Sequence, residues 1–299
     1  MDFSRYLAAK KSVDDRSLNR IVWNQLKMAL STQIFEGPLQ VLELGCGIGT
    51  MVERLIEWEL AEKVVYLGID SRVENIRAAE KRIGDWGSRN DYQLSFKKDH
   101  IALTKDNYFL KVSFREADVT TFQTNSGYYD LLIANAFMDL IDIPGALNRF
   151  AHWLAPGGLF YLTINFDGVT IFEPISDLAR EAKLISLYHQ SMDDRQVNGQ
   201  RSGDSQTGRH MFSHLRDAGA KILSAGASDW VVYPNIDGYP ADEAFFLHCI
   251  LDFFEHTLKS HTGLKQGELE NWLKERRGQI ERAELSYIAH QLDFLGTFI

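Results

Sequence analysis

Short apolar runs alternate along this chain with segments whose apolar residues recur at helical spacing. Residues 51–61 carry such a helical pattern and separate the first two runs, as in a β-α-β unit. Strands that alternate with helices predict an α/β fold with a doubly wound parallel sheet. The segments that carry strand-like runs are 41–44, 64–70, 112–122, 128–140 and 146–165.

A glycine-rich turn directly follows the first apolar run. Gly45, Gly47 and Gly49 allow the backbone to turn sharply and to approach a ligand closely, as nucleotide-binding loops do. A dinucleotide-binding loop would place its third glycine at position 50, where this chain has Thr50. The spacing therefore favours a nucleotide-type ligand other than a dinucleotide.

With Glu43 at the end of the first strand, this segment resembles motif I of the class I S-adenosylmethionine (SAM) dependent methyltransferases. The resemblance extends over residues 39–165 and includes the Pro-Gly-Gly turn at 156–158 that is typical of the family. It implies SAM as the cofactor. It also implies an α/β, doubly wound, mostly parallel seven-stranded sheet with an antiparallel last strand at residues 283–299, plus helical insertions.

The resemblance assigns roles to residues at the strand ends. Asp70 is expected to accept the two ribose hydroxyls of SAM, and Asp118 and Val119 to border its adenine. Asn135, at the tip of the fourth strand, is expected to face the sulfonium and the methyl acceptor. The full set expected to bind the cofactor is Arg16, Glu43, Gly45, Gly47, Gly49, Asp70, Ser71, Asp118, Val119 and Asn135.

The segment before the first strand, residues 1–36, has a helical apolar pattern and predicts an N-terminal helical cap. In many class I methyltransferases such a segment folds over the cofactor, so that Tyr6, Lys10 or Arg16 can reach the methionine carboxylate. The alternative is a helix that only packs on the sheet, with its polar residues in water.

At 299 residues, the chain is long enough for a single methyltransferase domain with insertions and need not be divided. Residues 166–206 and 241–282 contain helical patterns beyond what the core fold requires. Long insertions at the carboxyl end of a sheet are commonly lids or specificity loops. We therefore expect these two segments to form a lid over the substrate.

Composition and charge narrow the range of partners. A net charge of −9 argues against nucleic acid, because proteins that grip it present a basic face. The 45% hydrophobic content is typical of globular proteins, and no run has the length of a signal peptide or a membrane span. Cys46 and Cys249 are not in a C-x-x-C pair, so no zinc site is predicted and the cytoplasm is the expected compartment.

Methyl transfer from a sulfonium needs alignment of the acceptor more than a reactive side chain. If the acceptor must lose a proton, a base is required. His210 and His214 lie four residues apart on a predicted helix, and Asn135 and Asp139 lie at the tip of the fourth strand, so these four are the candidate catalytic residues. A metal site would need a third ligand near the two histidines, and the sequence offers none.

Two other activities fit the same scaffold. An aminopropyltransferase would carry acidic residues at the fourth strand's tip, where this chain has the sequence ANAF. A non-catalytic SAM-binding subunit would bind the cofactor and position a partner protein. The main expectation is a small-molecule methyltransferase. The acceptor, the methylated atom and the oligomeric state are not readable from the sequence.

Overall fold

The computed structural model describes residues 2–197 and 199–299. Met1 of the predicted cap and Asn198 of the predicted first insertion lie outside these residues. The helices are α1 (Phe3–Ser17), α2 (Arg20–Ser31), α3 (Thr50–Glu57), α4 (Val73–Arg89), α5 (Ile143–Trp153), α6 (Leu178–Asp193), α7 (Thr207–Asp217), α8 (Glu243–Leu258) and α9 (Glu268–Glu281), with a short 3-10 helix at Met138–Leu140.

The strands form one large sheet and one small hairpin. They are β1 (Leu39–Leu44), β2 (Lys63–Asp70), β3 (Gln93–Phe96), β4 (Ile101–Lys105), β5 (Tyr108–Glu116), β6 (Tyr129–Asn135), β7 (Leu154–Glu173), β8 (Gln196–Val197), β9 (Gln200–Arg201), β10 (Ala220–Ala227), β11 (Trp230–Val232) and β12 (Ser286–Phe298).

The large sheet has the order β10-β12-β7-β6-β1-β2-β5-β4-β3, and β11 also pairs with β12. The five central strands, from β7 to β5, are parallel to one another. The last strand, β12, runs antiparallel between β7 and β10. This confirms the predicted mostly parallel sheet with an antiparallel last strand.

Successive residues of the central strands are buried on both faces, as in parallel sheets covered by helices. In β1, Val41 packs into a core layer that includes α2, α3 and α4, whereas Leu42 and Leu44 pack into the opposite layer with α5 and α7. A third apolar cluster joins α1, α6, α8 and α9 to β11 and to the far ends of β7 and β12. This third cluster stands above the carboxyl edge of the sheet, where the functional site lies.

The structure corrects the predicted strand count from seven to ten in the large sheet. Two of the additional strands, β3 and β4, form an antiparallel extension beside β5, in a polar stretch where the apolar signal is weak. The third is the short β11. Residues 166–173, which were assigned to the first insertion, continue β7 because they pair with β12 through to Glu173.

The N-terminal cap consists of α1 and α2. Their boundary is set by Asn19, whose side chain accepts hydrogen bonds from the amides of Ile21 and Val22 at 3.0 and 3.1 Å. The helices predicted in the second insertion are α8 and α9. Among the helices of the described residues, none combines the length and the apolarity needed to cross a membrane.

Candidate active site

A cavity of about 620 Å³ opens at the carboxyl edge of the parallel strands. It has two parts. The first, which we call the crevice, lies along the ends of β1, β2, β5 and β6. It is lined by Glu43, Gly45, Cys46, Gly47, Ile48, Asp70, Ser71, Arg72, Asn75, Asp118, Val119 and Asn135. The second, which we call the chamber, lies under α1, α6 and α8. It is lined by Tyr6, Lys10, Asp14, Asp139, Phe166, Thr170, Tyr188, Arg195, Trp230, Phe253, Phe254, Tyr287 and Gln291.

The glycine loop forms the floor of the crevice. Gly45 and Gly47 have φ angles of +62° and +53°, which favour glycine over residues with a Cβ. A Cβ on Gly47 would lie 3.2 Å from Cδ1 of Leu7 on α1, so the loop and the cap approach each other closely. Gly49, which was expected to contact the cofactor, does not line the cavity. A Cβ there would lie 2.9 Å from the ring of Phe114, so this glycine instead allows α3 to begin against β5.

Asp70 sits at the tip of β2 and organises the crevice. Its Oδ2 accepts a hydrogen bond from the amide of Gly47 at 3.0 Å. Its Oδ1 accepts from the amide of Arg72 at 2.9 Å and from Nδ2 of Asn75 at 3.0 Å. A carboxylate offers about four lone-pair sites, so it can still accept bonds from a ligand. Ser71 follows it and also lines the crevice.

Asp118 and Val119 lie beyond the end of β5, on the far wall of the crevice. The Oδ1 atom of Asp118 accepts bonds from the amide and the hydroxyl of Thr120, both at 2.7 Å, which orients the carboxylate. Val119 is buried beside it and gives the wall an apolar surface. The arrangement suits a flat base with an amino group at its edge.

Glu43 lies at the inner end of the crevice, buried at 3% exposure. The Tyr66 hydroxyl donates a hydrogen bond to its Oε2. Burial raises the pKa of Glu43 to about 8, although Tyr66 and the nearby charge of Arg54 act in the opposite direction. At neutral pH the side chain is therefore mostly protonated in the free protein.

This protonation predicts a pH-dependent stability. Because the pKa of Glu43 is higher in the folded than in the unfolded state, its stabilising contribution is complete below the unfolded pKa and is lost as the pH rises to about 8. Between pH 6 and 7.5 the loss amounts to about 2 kcal/mol. Urea unfolding of Glu43→Gln should show a free energy that depends less on pH than in the wild type. If the free energy of unfolding changed with pH in the same way in both proteins, the raised pKa of Glu43 would be contradicted.

The cap closes the crevice through α1. Tyr6 and Lys10 line the cavity, as two of the three side chains expected to reach a cofactor carboxylate. Nζ of Lys10 lies 2.5 Å from the Asp14 carboxylate, which also accepts a bond from Nε1 of Trp230 at 2.9 Å. Arg16 does not line the cavity. It points to α8 and pairs with the buried carboxylate of Glu243, and not toward the crevice where its cofactor contact was expected.

Asn135 and Asp139 both line the cavity where the crevice meets the chamber. The Asn135 carbonyl accepts a bond from the Thr163 hydroxyl at 2.9 Å, which leaves its amide directed near Asp14, 3.4 Å away. Asp139 lies in the 3-10 helix after β6. Burial raises the pKa of its carboxyl, and the charges of Arg195 and Lys10 offset part of this rise.

The two candidate histidines lie outside the cavity. His210 and His214 do share one face of α7, as their spacing predicted, but α7 packs beside α5 and β10 and neither histidine lines the cavity. Nδ1 of His210 lies 2.9 Å from Asp204. The structure therefore does not bring this pair to the cavity, in contrast to the expectation from the sequence. Within residues 2–197 and 199–299, no group of three metal-ligating side chains is placed to hold an ion.

Most residues of the chamber were not identified from the sequence. Tyr188 is on α6, Arg195 follows that helix, and Tyr287 and Gln291 are on β12. Each belongs to an ordinary helical or strand pattern, so no local motif distinguishes it. The one available signal was the i,i+4 spacing of Lys10 and Asp14 on the cap helix, which is typical of a paired charge.

Comparison with known proteins agrees with this geometry. Residues 42–160 match a family model described as a methyltransferase domain. Curated protein sequences give no match. Among solved structures, a SAM-dependent methyltransferase from Methanosarcina mazei has a TM-score of 0.51 at 13% identity, covering 95% of this chain and 99% of that one. A putative methyltransferase from Bacillus halodurans has a TM-score of 0.50 at 12% identity, covering 91% and 98%.

A structure of phosphoethanolamine N-methyltransferase 2 from Haemonchus contortus, in complex with phosphomonomethylethanolamine and S-adenosylhomocysteine, has a TM-score of 0.44 at 12% identity. The match covers 92% of this chain, and the chain spans about half (52%) of the nematode enzyme. Identities this low establish only a shared fold. The family model shows a methyltransferase domain in residues 42–160, the part of the chain that carries the glycine loop and Asp70 at the carboxyl edge of the sheet.

Proposed function

We propose that this protein transfers a methyl group from SAM to a small organic acceptor that binds in the chamber. One observation carries the proposal: a single cavity joins the nucleotide-type crevice to an enclosed space walled by aromatic side chains. Its volume of about 620 Å³ is in the range of small-molecule sites and leaves room beside a nucleoside. The cytoplasm, expected from the two unpaired cysteines, remains part of the proposal.

The residues of the crevice fit the chemistry of SAM. Asp70 would accept the ribose hydroxyls, and Asp118 would accept from the adenine amino group beside Val119. The glycine loop would accommodate the methionine part, with Lys10 of α1 above it. When bound, SAM supplies an electrophilic methyl group on a good leaving group.

The chain's own residues would orient the acceptor, take its proton and exclude water. Asn135 is held by Thr163 and would orient the acceptor at the junction of crevice and chamber. Asp139 would take a proton from the acceptor, because its raised pKa makes it a better base than an exposed aspartate. The helices α1, α6 and α8 would exclude water, as the proposed lid.

Asp139→Asn should lower kcat by about 100-fold, because the amide cannot accept the proton. The dissociation constant of SAM should change little, since Asp139 lies beyond the crevice. Initial rates of S-adenosylhomocysteine (SAH) formation as a function of pH would measure this effect. The matched control is Asp194→Asn, an exposed aspartate at the end of α6. A wild-type rate in Asp139→Asn would exclude it as the base.

Calorimetric titration with SAM, with SAH and with decarboxylated SAM tests the proposed function itself. We expect SAM and SAH to bind, and radiolabelled methyl groups to pass to members of a panel of small hydroxyl and amine compounds. Absence of SAM binding would overturn the proposal. Tighter binding of decarboxylated SAM would favour an aminopropyltransferase. Binding of SAM without any turnover would favour a non-catalytic subunit.

A further inference from the structure

Several polar side chains of the chamber have no protein partner for their polar groups. The hydroxyls of Tyr6, Tyr188 and Tyr287 take part in no hydrogen bond within the described residues, although all three side chains line the cavity. Polar groups in protein interiors are normally hydrogen-bonded. The three phenols line one open cavity, so their hydroxyls are available to a ligand that enters it.

The three phenols come from different elements but converge on one region. Tyr6 is on α1, Tyr188 on α6 and Tyr287 on β12, and each lies close enough to another for its charge to affect that neighbour's pKa. Burial raises all three pKa values, that of Tyr188 to about 12. The hydroxyls are therefore neutral at physiological pH, and each can donate a hydrogen bond to a ligand.

Gln291 adds a further unpartnered group. It lines the cavity at 2% exposure, and its Oε1 is buried without a hydrogen bond. In the sheet it pairs with Phe166, three residues along β7 from Thr163, which pairs with Asn135 at the β6 tip. Phe166 thus lies about 10 Å along β7 from Thr163, and Gln291 lies beside Phe166 on β12. Its unpartnered Oε1 is an acceptor, so it would bond to a donor group of the ligand and not to an anionic one.

The chamber also contains a cation that no carboxylate neutralises by direct contact. Nη1 of Arg195 lies 3.4 Å from the backbone carbonyl of Asp139, and no ion pair within 4.0 Å involves Arg195 in the described part of the chain. The other cation, Lys10, is paired with Asp14. The Asp139 carboxyl lies close enough for the charge of Arg195 to lower its pKa, but burial raises that pKa overall and so disfavours the charged form.

From this excess of donors we infer that the acceptor carries a compact anionic group, a carboxylate or a phosphate, bound by Arg195 and the hydroxyls of Tyr6, Tyr188 and Tyr287. The inference rests on the proposed function, because it concerns the molecule that is methylated. A guanidinium and neutral phenols together provide the charge and the directed donors that an oxyanion requires. The anion would anchor the acceptor at one end while its nucleophile faces Asn135 and Asp139.

The test uses the full-length protein saturated with SAH, titrated by calorimetry with three probes that share an aromatic ring: phenyl phosphate, benzoate and benzyl alcohol. We expect at least one of the two anions to bind about tenfold or more tightly than the neutral alcohol. Preference for phenyl phosphate identifies a phosphate acceptor, and preference for benzoate identifies a carboxylate acceptor. Equal binding of all three probes would overturn the inference.

Arg195→Met should abolish the preference for the anion, and Tyr188→Phe should reduce it about threefold, while the affinity for SAH stays at the wild-type value. The control is Arg216→Met, a substitution of an exposed arginine on α7 that is outside the cavity. An unchanged preference in Arg195→Met would also overturn the inference. If SAH fails to bind the wild type, the proposed function fails; if SAH binds and the anions show no preference, only the inference fails.

Discussion

Asp70→Ala is expected to weaken SAM binding by at least about 2 kcal/mol, roughly 30-fold in Kd. Two losses contribute. The substitution removes the carboxylate that would accept the ribose hydroxyls. It also removes three hydrogen bonds within the protein, from the amides of Gly47 and Arg72 and from Asn75, so the glycine loop loses one of its hydrogen bonds to β2. Calorimetric titration with SAM and SAH measures the change.

Two variants separate these contributions. Asp70→Asn keeps one acceptor oxygen but loses the charge, so its affinity should lie between those of the wild type and the alanine variant. Asp85→Ala changes an exposed aspartate on α4, outside the cavity, and should bind SAM as the wild type does. If Asp70→Ala bound SAM with an unchanged Kd, the crevice would not be the cofactor site.

The crevice could be predicted from the sequence because each of its parts is local. The glycine loop, Asp70 and Asp118 each follow a recognisable apolar run, and the carboxyl ends of parallel strands meet at one edge of a sheet. Once the order of strands and helices is known, these short segments must come together. The structure accordingly brings Gly45, Gly47, Asp70, Asp118 and Asn135 to one cavity. Their roles toward SAM remain predictions.

The chamber could not be predicted in the same way because its walls come from distant parts of the chain. Tyr188 on α6 and Tyr287 on β12 belong to elements whose relative positions depend on how the insertions pack. In each segment, an aromatic residue at helical or strand spacing is as consistent with packing in the hydrophobic core as with lining a cavity. The position of Arg16 could not be predicted for the same reason, because its spacing on α1 does not reveal that Glu243 of α8 lies beside it.

The histidine pair shows that a correct prediction of local structure does not by itself place residues at the cavity. The spacing of His210 and His214 correctly predicted a shared helical face. It did not reveal which side of the sheet α7 would cover. Met211 and Leu215 of that helix pack into the layer with α5, so the histidines lie away from the cavity.

Arg276→Met is expected to lower the free energy of unfolding by about 3–5 kcal/mol. The Arg276 side chain is fully buried, and its Nη2 lies 2.5 Å from Oε2 of Glu181 on α6. Its Nη1 also donates to the carbonyl of Pro174 at 2.7 Å and to Gln279 at 2.8 Å. Removal of the guanidinium would leave the carboxylate of Glu181 buried without its counter-charge. Urea unfolding followed by circular dichroism measures the loss.

The surface control for this prediction is Arg282→Met, which breaks a solvent-exposed pair with Glu284 and should cost less than about 0.5 kcal/mol. The double variant Arg276→Met with Glu181→Leu should recover much of the stability, because it leaves no unpaired charge in the core. Trp272 would still lose the acceptor of its Nε1 bond, which Glu181 provides at 2.6 Å, so recovery should be incomplete. A double variant no more stable than Arg276→Met would show that packing, rather than charge pairing, joins α6 to α9.

Because α6 carries Tyr188 and leads to Arg195, a protein that is destabilised at the Arg276–Glu181 pair should also bind the acceptor less well while binding SAH normally.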